Sequence, residues 1–141
     1  MSMTGEEREE FLSRGRFRPE GENMPRVLVV DDDESLRLLY TSELAEEGYE
    51  IDAVSSGKEA LEFIEGTKPD VVILDIKMEG MDGLAVLDEI MKRDKTIPVV
   101  LNTAYSNFKS DFSTWSADAY IVKSSDLSEL KNTIKQVLGG A

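Results

Sequence analysis

Five short strand-like runs recur between residues 27 and 122, and the stretches between them carry helical rather than alternating periodicity. The runs cover 27–30, 50–54, 71–74, 99–101 and 119–122, and four of them end at a polar or acidic residue. A strand buried on both faces reads as a continuous apolar segment, so this rhythm specifies successive βα units around a parallel sheet. Leu36, Leu39, Tyr40 and Leu44 fall at helical spacing, as do Leu84, Leu87 and Met91, and later Leu127, Leu130, Ile134 and Val137. Such stripes are expected to pack on the sheet as ordinary core. Helix ends are marked as well: Ser56 precedes a helix over 58–65 that Gly66 closes, and Asp126 with Glu129 stands in capping-box spacing ahead of the last helix.

At 141 residues the chain suits one globular domain with a single sizeable core. The folded unit is expected over 25–141, behind a disordered N-terminal extension over 1–24. That extension is poor in apolar residues: Glu6, Glu7, Glu9 and Glu10 precede Arg14, Arg16 and Arg18, and a helical turn over 4–12 is the most it would form. Arg16-Phe17-Arg18 reads as part of a solvated tail rather than as a nucleic-acid contact, and Met24-Pro25, just ahead of the first strand, is a candidate alternative translation start. The chain stops three residues after Leu138, so an output domain is not expected, and no repeat of 20 to 50 residues is visible.

A formal net charge of -13 repels phosphate backbones and anionic lipid surfaces, so direct DNA binding and membrane association are not expected. With no cysteine there is neither a disulfide framework nor a thiolate metal site, and no apolar run approaches a bilayer span; a cytoplasmic location fits both facts. The chain also has no histidine. Whatever chemistry it performs must run on carboxylates, hydroxyls and lysine.

In an open parallel sheet the carboxyl ends of the strands share one edge, where ligands bind. The residues that follow the strand ends are Asp31, Asp32 and Asp33, then Asp75, then Asn102 and Thr103, then Lys123. Two carboxylates about 4 Å apart repel by about 4 kcal/mol at an effective dielectric of about 20, so such a cluster requires a cation or raised pKa values. Oxygen ligands without histidine or cysteine favour Mg²⁺ or Ca²⁺, and few carboxylates open to water favour Mg²⁺. Taken singly, each aspartate reads equally well as a helix cap.

Val29-Val30-Asp31-Asp32, Ile73-Leu74-Asp75 followed by Met81-Asp82-Gly83, Asn102-Thr103-Ala104, and Tyr120-Ile121-Val122-Lys123 together resemble the receiver domains of two-component response regulators. The resemblance spans 26–138. It implies a flavodoxin-like (βα)5 three-layer sandwich whose five-stranded parallel sheet has the order 2-1-3-4-5. It implies that Asp75 is the phosphoacceptor and that Asp31, Asp32, Asp75 and the backbone carbonyl of Lys77 hold Mg²⁺. Thr103, Ala104 and Lys123 would contact the phosphoryl group, Thr103 and Tyr120 would form the switch, and Lys77 and Tyr105 would tune hydrolysis. The implied phosphoryl donor is a sensor histidine kinase or a histidine phosphotransfer protein, and the output is an altered surface on the fourth helix, fifth strand and fifth helix, read by an unidentified protein target. Such a domain is a phosphoacceptor rather than an enzyme, with at most self-directed phosphotransfer and autodephosphorylation.

Three positions depart from the family pattern. Lys123-Ser124 replaces the usual Lys-Pro, so a trans bond is expected; Glu79 stands where proline is common; Ser116 replaces a glycine at the end of the fourth helix. That helix, roughly 106–115, is rich in Ser, Asn and Asp, and Phe108, Phe112 and Trp115 form a stripe read mainly as core. Asp31-x-Asp33-x-Ser35 also loosely matches the haloacid-dehalogenase phosphatases, in which Asp31 would be the nucleophile. A receiver-like module that binds no phosphate is the third reading.

Overall fold

The computed structural model describes residues 24–80, 82–106 and 116–139. The expectations for the N-terminal extension up to residue 23, and for the 107–115 stretch with Phe108, Phe112 and Trp115, lie outside the described residues.

The elements run β1 (Arg26–Val30), α1 (Glu34–Ala45), β2 (Glu50–Val54), α2 (Gly57–Gly66), β3 (Val71–Leu74), α3 (Gly83–Arg93), β4 (Val99–Thr103), β5 (Ala119–Val122) and α4 (Ser128–Gly139). All pairings are parallel, and the strand order is β2-β1-β3-β4-β5, as the resemblance implied. Strand alternation divides the core between the two faces. Leu28, Val30, Val72, Leu74, Val99 and Leu101 face Ala60 of α2 and Val86, Leu87 and Ile90 of α3. Val27, Val29, Val71, Ile73, Val100 and Ile121 face Tyr40 and Leu44 of α1 and Leu130 and Ile134 of α4. Each aliphatic side chain fully buried in this way contributes about 1.5–3 kcal/mol.

The helix stripes over 84–91 and 127–137 pack as expected, but Leu39 does not: it is 42% exposed beside Leu38 at 66%. Tyr40 and Leu44 set the buried line of α1, and Leu39 lies about 100° off it. β4 runs two residues past its expected end at 101, because Asn102 and Thr103 keep pairing with Ile121 and Val122 although their side chains are polar. Ser56 caps α2 as expected, accepting from the Glu59 N–H at 3.2 Å, whereas Gly66 is still helical and Thr67, in extended conformation, ends the helix. Asp126 accepts from the Ser128 N–H at 2.9 Å ahead of α4. No cis peptide bond occurs among the described residues, so Lys123-Ser124 is trans, and Ser116 does not adopt a positive φ.

Arg26 was not singled out in the sequence, yet it is almost fully buried at the amino-terminal end of β1. Its guanidinium reaches Asp52 at 2.6 Å and Glu50 at 3.1 Å on the edge strand β2, and the main-chain N–H of Arg26 donates to Asp70 at 2.7 Å.

Candidate functional site

The carboxyl-terminal edge of the sheet collects the acidic residues by register. Val30 pairs with Leu74, so the next residues, Asp31 and Asp75, emerge side by side from neighbouring strands. Both backbones stay in the sheet's hydrogen-bonding network, Asp75 N–H donating to the Val30 carbonyl at 3.0 Å and Asp31 N–H to the Val54 carbonyl at 3.2 Å. Their side chains are buried, while Asp32 is exposed. One carboxylate oxygen from each of Asp31, Asp32 and Asp75 lies within 4.8 Å of the other two.

Lys123 follows β5 and is anchored by its own N–H, which donates to the Thr103 carbonyl at 2.7 Å. Its ammonium sits between the two buried aspartates, 2.8 Å from Asp31 and 3.1 Å from Asp75. Burial by itself lowers the lysine pKa, but the hydrogen bonds and charges of Asp31 and Asp75 outweigh it and hold the ammonium above its ordinary value. Burial raises the Asp75 pKa, and the pull of Lys123 only partly offsets that rise. Three carboxylates therefore face one ammonium, which leaves net negative charge and an all-oxygen donor set: the chemistry of a hard divalent cation site.

Two candidates from the strand ends serve other ends. The Asp33 carboxylate caps α1, accepting from the N–H groups of Ser35 at 2.9 Å and Leu36 at 3.3 Å, and its own N–H donates to Asp31. The aspartate pair that the phosphatase reading needs is thus split between a buried site and a helix cap. Asn102 points to the α1 face, where its amide donates to the Tyr40 hydroxyl at 3.0 Å. Strand alternation separates it from its neighbour Thr103, which shares the other face with Leu101.

Thr103 is fully buried, and its hydroxyl accepts from the Tyr105 N–H at 3.4 Å. Tyr120 pairs with Leu101 across β4 and β5 on that same face, and its hydroxyl donates to the Tyr105 carbonyl. Thr103, Tyr105 and Tyr120 thus form one hydrogen-bonded group at the carboxyl-terminal end of β4. Ala104, Tyr105 and Lys77 are exposed at the rim. Among the contacts sequence reasoning missed are the bond between Asn102 and Tyr40, the Arg37 guanidinium, which donates to the Asp31 carbonyl at 2.8 Å, and the Glu79 N–H, which donates to Asp32 at 3.0 Å. The helical phase of Tyr40 gave it a core position without a partner, and a main-chain donor leaves no trace in residue type.

A family model described as the response regulator receiver domain matches residues 27–135. Among curated proteins, the chain is 33% identical over 115 residues to the regulatory protein AtoC of Escherichia coli, covering 80% of this chain and 25% of that protein. It is 30% identical over 115 residues to the sporulation initiation phosphotransferase F of Bacillus subtilis, covering 80% of this chain and 93% of that protein. The chain thus spans a quarter of the length of AtoC but nearly all of the phosphotransferase. Among solved structures, the response regulator protein TrrA of Thermotoga maritima, in complex with Mg²⁺-BeF, is 50% identical with a TM-score of 0.80, covering 82% of this chain and 100% of that one. The same protein in complex with the histidine kinase ThkA superposes with a TM-score of 0.78, again at 50% identity, covering 82% of this chain and 99% of that one.

Proposed function

This chain belongs to the response regulator receiver family, and from that premise we propose that it is a phosphorylation-dependent switch or relay carrier whose phosphoacceptor is Asp75. The carrying observation is the meeting of Asp31, Asp32 and Asp75 at one point of the sheet edge, with the Lys123 ammonium on two of them. The receiver unit runs over 25–141 in this reading.

A carboxylate oxygen of Asp75 attacks phosphorus, the bond from phosphorus to the donor nitrogen breaks, and the departing imidazole takes up a proton. The chain has no histidine, so the donor is a phosphohistidine on another protein, a sensor kinase or a histidine phosphotransfer protein. That the similar TrrA is seen with a histidine kinase supports this choice. Asp31, Asp32, Asp75 and the backbone carbonyl of Lys77 would hold Mg²⁺, whose chemistry is to neutralise the carboxylates and the transferring phosphoryl oxygens. Lys123 pairs with one phosphoryl oxygen, and the Thr103 hydroxyl and Ala104 N–H donate to others. As Thr103 moves toward the phosphoryl group, space opens for the Tyr120 ring. The surface around β5 and α4 then changes for a protein target.

Lys77 and Tyr105 flank the reacting group and shield the acyl phosphate from water, so slow self-dephosphorylation is expected; a half-life of seconds would contradict that shielding. The central test is labelling with Mg²⁺ and a small acyl-phosphate donor. Asp75→Asn is expected to lose the label, whereas Asp31→Asn keeps a labelled Asp75 at a reduced rate. Loss of the acceptor at Asp31 instead would favour the phosphatase reading, and an unlabelled wild-type protein would favour a module blind to phosphate.

A further inference from the structure

We infer that Glu79 is a positioning residue for Asp32, acting through its main-chain N–H and not through its carboxylate. The inference rests on the proposed Mg²⁺ site and names a part of it that no site residue supplies.

Asp31 and Asp75 are held from several directions: both are buried, both continue the sheet's hydrogen bonds, and both meet Lys123. Asp32 has none of these supports. It is the exposed member of the trio and pairs with no lysine or arginine among the described residues. What holds its carboxylate toward the other two is the Glu79 N–H, 3.0 Å from Oδ2, which reaches across from the loop between β3 and α3. An exposed aspartate otherwise samples several rotamers in water, and only the ones turned inward present an oxygen to a cation shared with Asp31 and Asp75. A charge-assisted bond from a fixed N–H selects those rotamers while leaving the remaining lone pairs of the carboxylate open.

The donor is placed by the turn that contains it. Gly80 has φ +92°, a value that L side chains rarely adopt, and Gly83 closes the same loop with an N–H bond to the Ile76 carbonyl at 2.7 Å. A positive φ at Gly80 is also what the second central position of a type II turn requires, and proline is at home at the first. Proline at 79 is therefore compatible with the following glycine, yet it has no N–H to give. The substitution Glu79→Pro removes the proposed donor, and Glu79→Gln removes the charge while keeping the donor.

The experiment is a Mg²⁺ titration of the full chain at fixed ionic strength by calorimetry, with wild type, Glu79→Pro and Glu79→Gln side by side. Outer contacts of metal-ligating groups are commonly worth about 10–100-fold in affinity. The expected result is Mg²⁺ binding at least about tenfold weaker in Glu79→Pro and within about threefold of wild type in Glu79→Gln. Equal affinity in Glu79→Pro overturns the inference, as does an equal loss in both variants, which would assign the effect to the carboxylate. Absence of Mg²⁺ binding by the wild-type chain would instead bring down the proposed function itself. Amide NMR without Mg²⁺ tests the bond even if Glu79→Pro folds poorly. The Glu79 amide proton is expected to move upfield and exchange faster in Asp32→Ala; an unmoved resonance would refute the contact.

Discussion

At Gly83 the chain has no room for one more carbon. A Cβ built there collides with the Asp75 carbonyl oxygen and comes within 2.7 Å of the Ile76 Cα, and both obstacles are main chain that cannot swing aside. Gly83→Ala is expected to lower stability by about 3 kcal/mol, the upper end of what overpacking costs, read as a lower urea midpoint at unchanged slope. Tyr40 makes a different prediction. Tyr40→Phe leaves the buried Asn102 amide without its acceptor, a loss of about 1–3 kcal/mol that Asn102→Leu in the same chain should largely recover. Burial raises the Tyr40 pKa above its ordinary 10.0, more than the Asn102 hydrogen bond lowers it. The folded protein therefore keeps this proton where the unfolded chain has lost it; the resulting stability is full below pH 10.0 and falls as pH rises through the folded value. Tyr40→Phe should show a shallower alkaline loss of stability than wild type. The positions of Asp31, Asp75, Thr103 and Lys123 were legible because strand ends fix where such residues emerge. The partner of Asn102 was not, since a strand that ran on beyond its apolar letters turned that side chain to the other face.

Among the elements, β2 has the weakest claim to its place by sequence, for Glu50-Ile51-Asp52-Ala53-Val54 is neither apolar throughout nor buried. It nonetheless pairs with β1 in full register from Arg26↔Glu50 to Val30↔Val54. Arg26 explains the amino-terminal half of that pairing: Glu50 and Asp52 are two residues apart, point to one face and both reach its guanidinium. Removing one partner of a buried ion pair costs about 3–5 kcal/mol, and because Glu50 and Asp52 keep some contact with water the loss here is expected below that range, at about 2–3 kcal/mol. Arg26→Ala should therefore lower stability by that amount, and amide exchange should quicken first along Glu50–Val54. A β2 that exchanges no faster than β4 in this variant would show that the ladder alone holds the edge. The arginine escaped notice because a charged residue ahead of an apolar run reads as a flank. The signal available was the i, i+2 spacing of the two acids across the sheet.

For the molecule as a whole, the acidic site and the overall charge of -13 act in the same direction, and a measurement has to separate them. Any added salt screens self-repulsion in so acidic a chain and stabilises it without binding anywhere. A specific site adds stability by mass action, about 1.4 kcal/mol for every tenfold rise in free ligand above Kd. It does so through the folded state alone, because only the β2-β1-β3-β4-β5 sheet brings Asp31 and Asp32 beside Asp75, more than forty residues away in sequence. Titrating MgCl₂ against NaCl at matched ionic strength should therefore raise Tm in wild type by an amount that grows with the logarithm of Mg²⁺. The excess over NaCl should vanish in Asp31→Asn, whose carboxylate lies within the cluster, and persist in Asp33→Asn, whose carboxylate caps α1 outside it. If both variants kept the excess, the stabilising ions would be acting on the charge of the whole surface, and the convergence of three strand-end carboxylates would have no part in binding them.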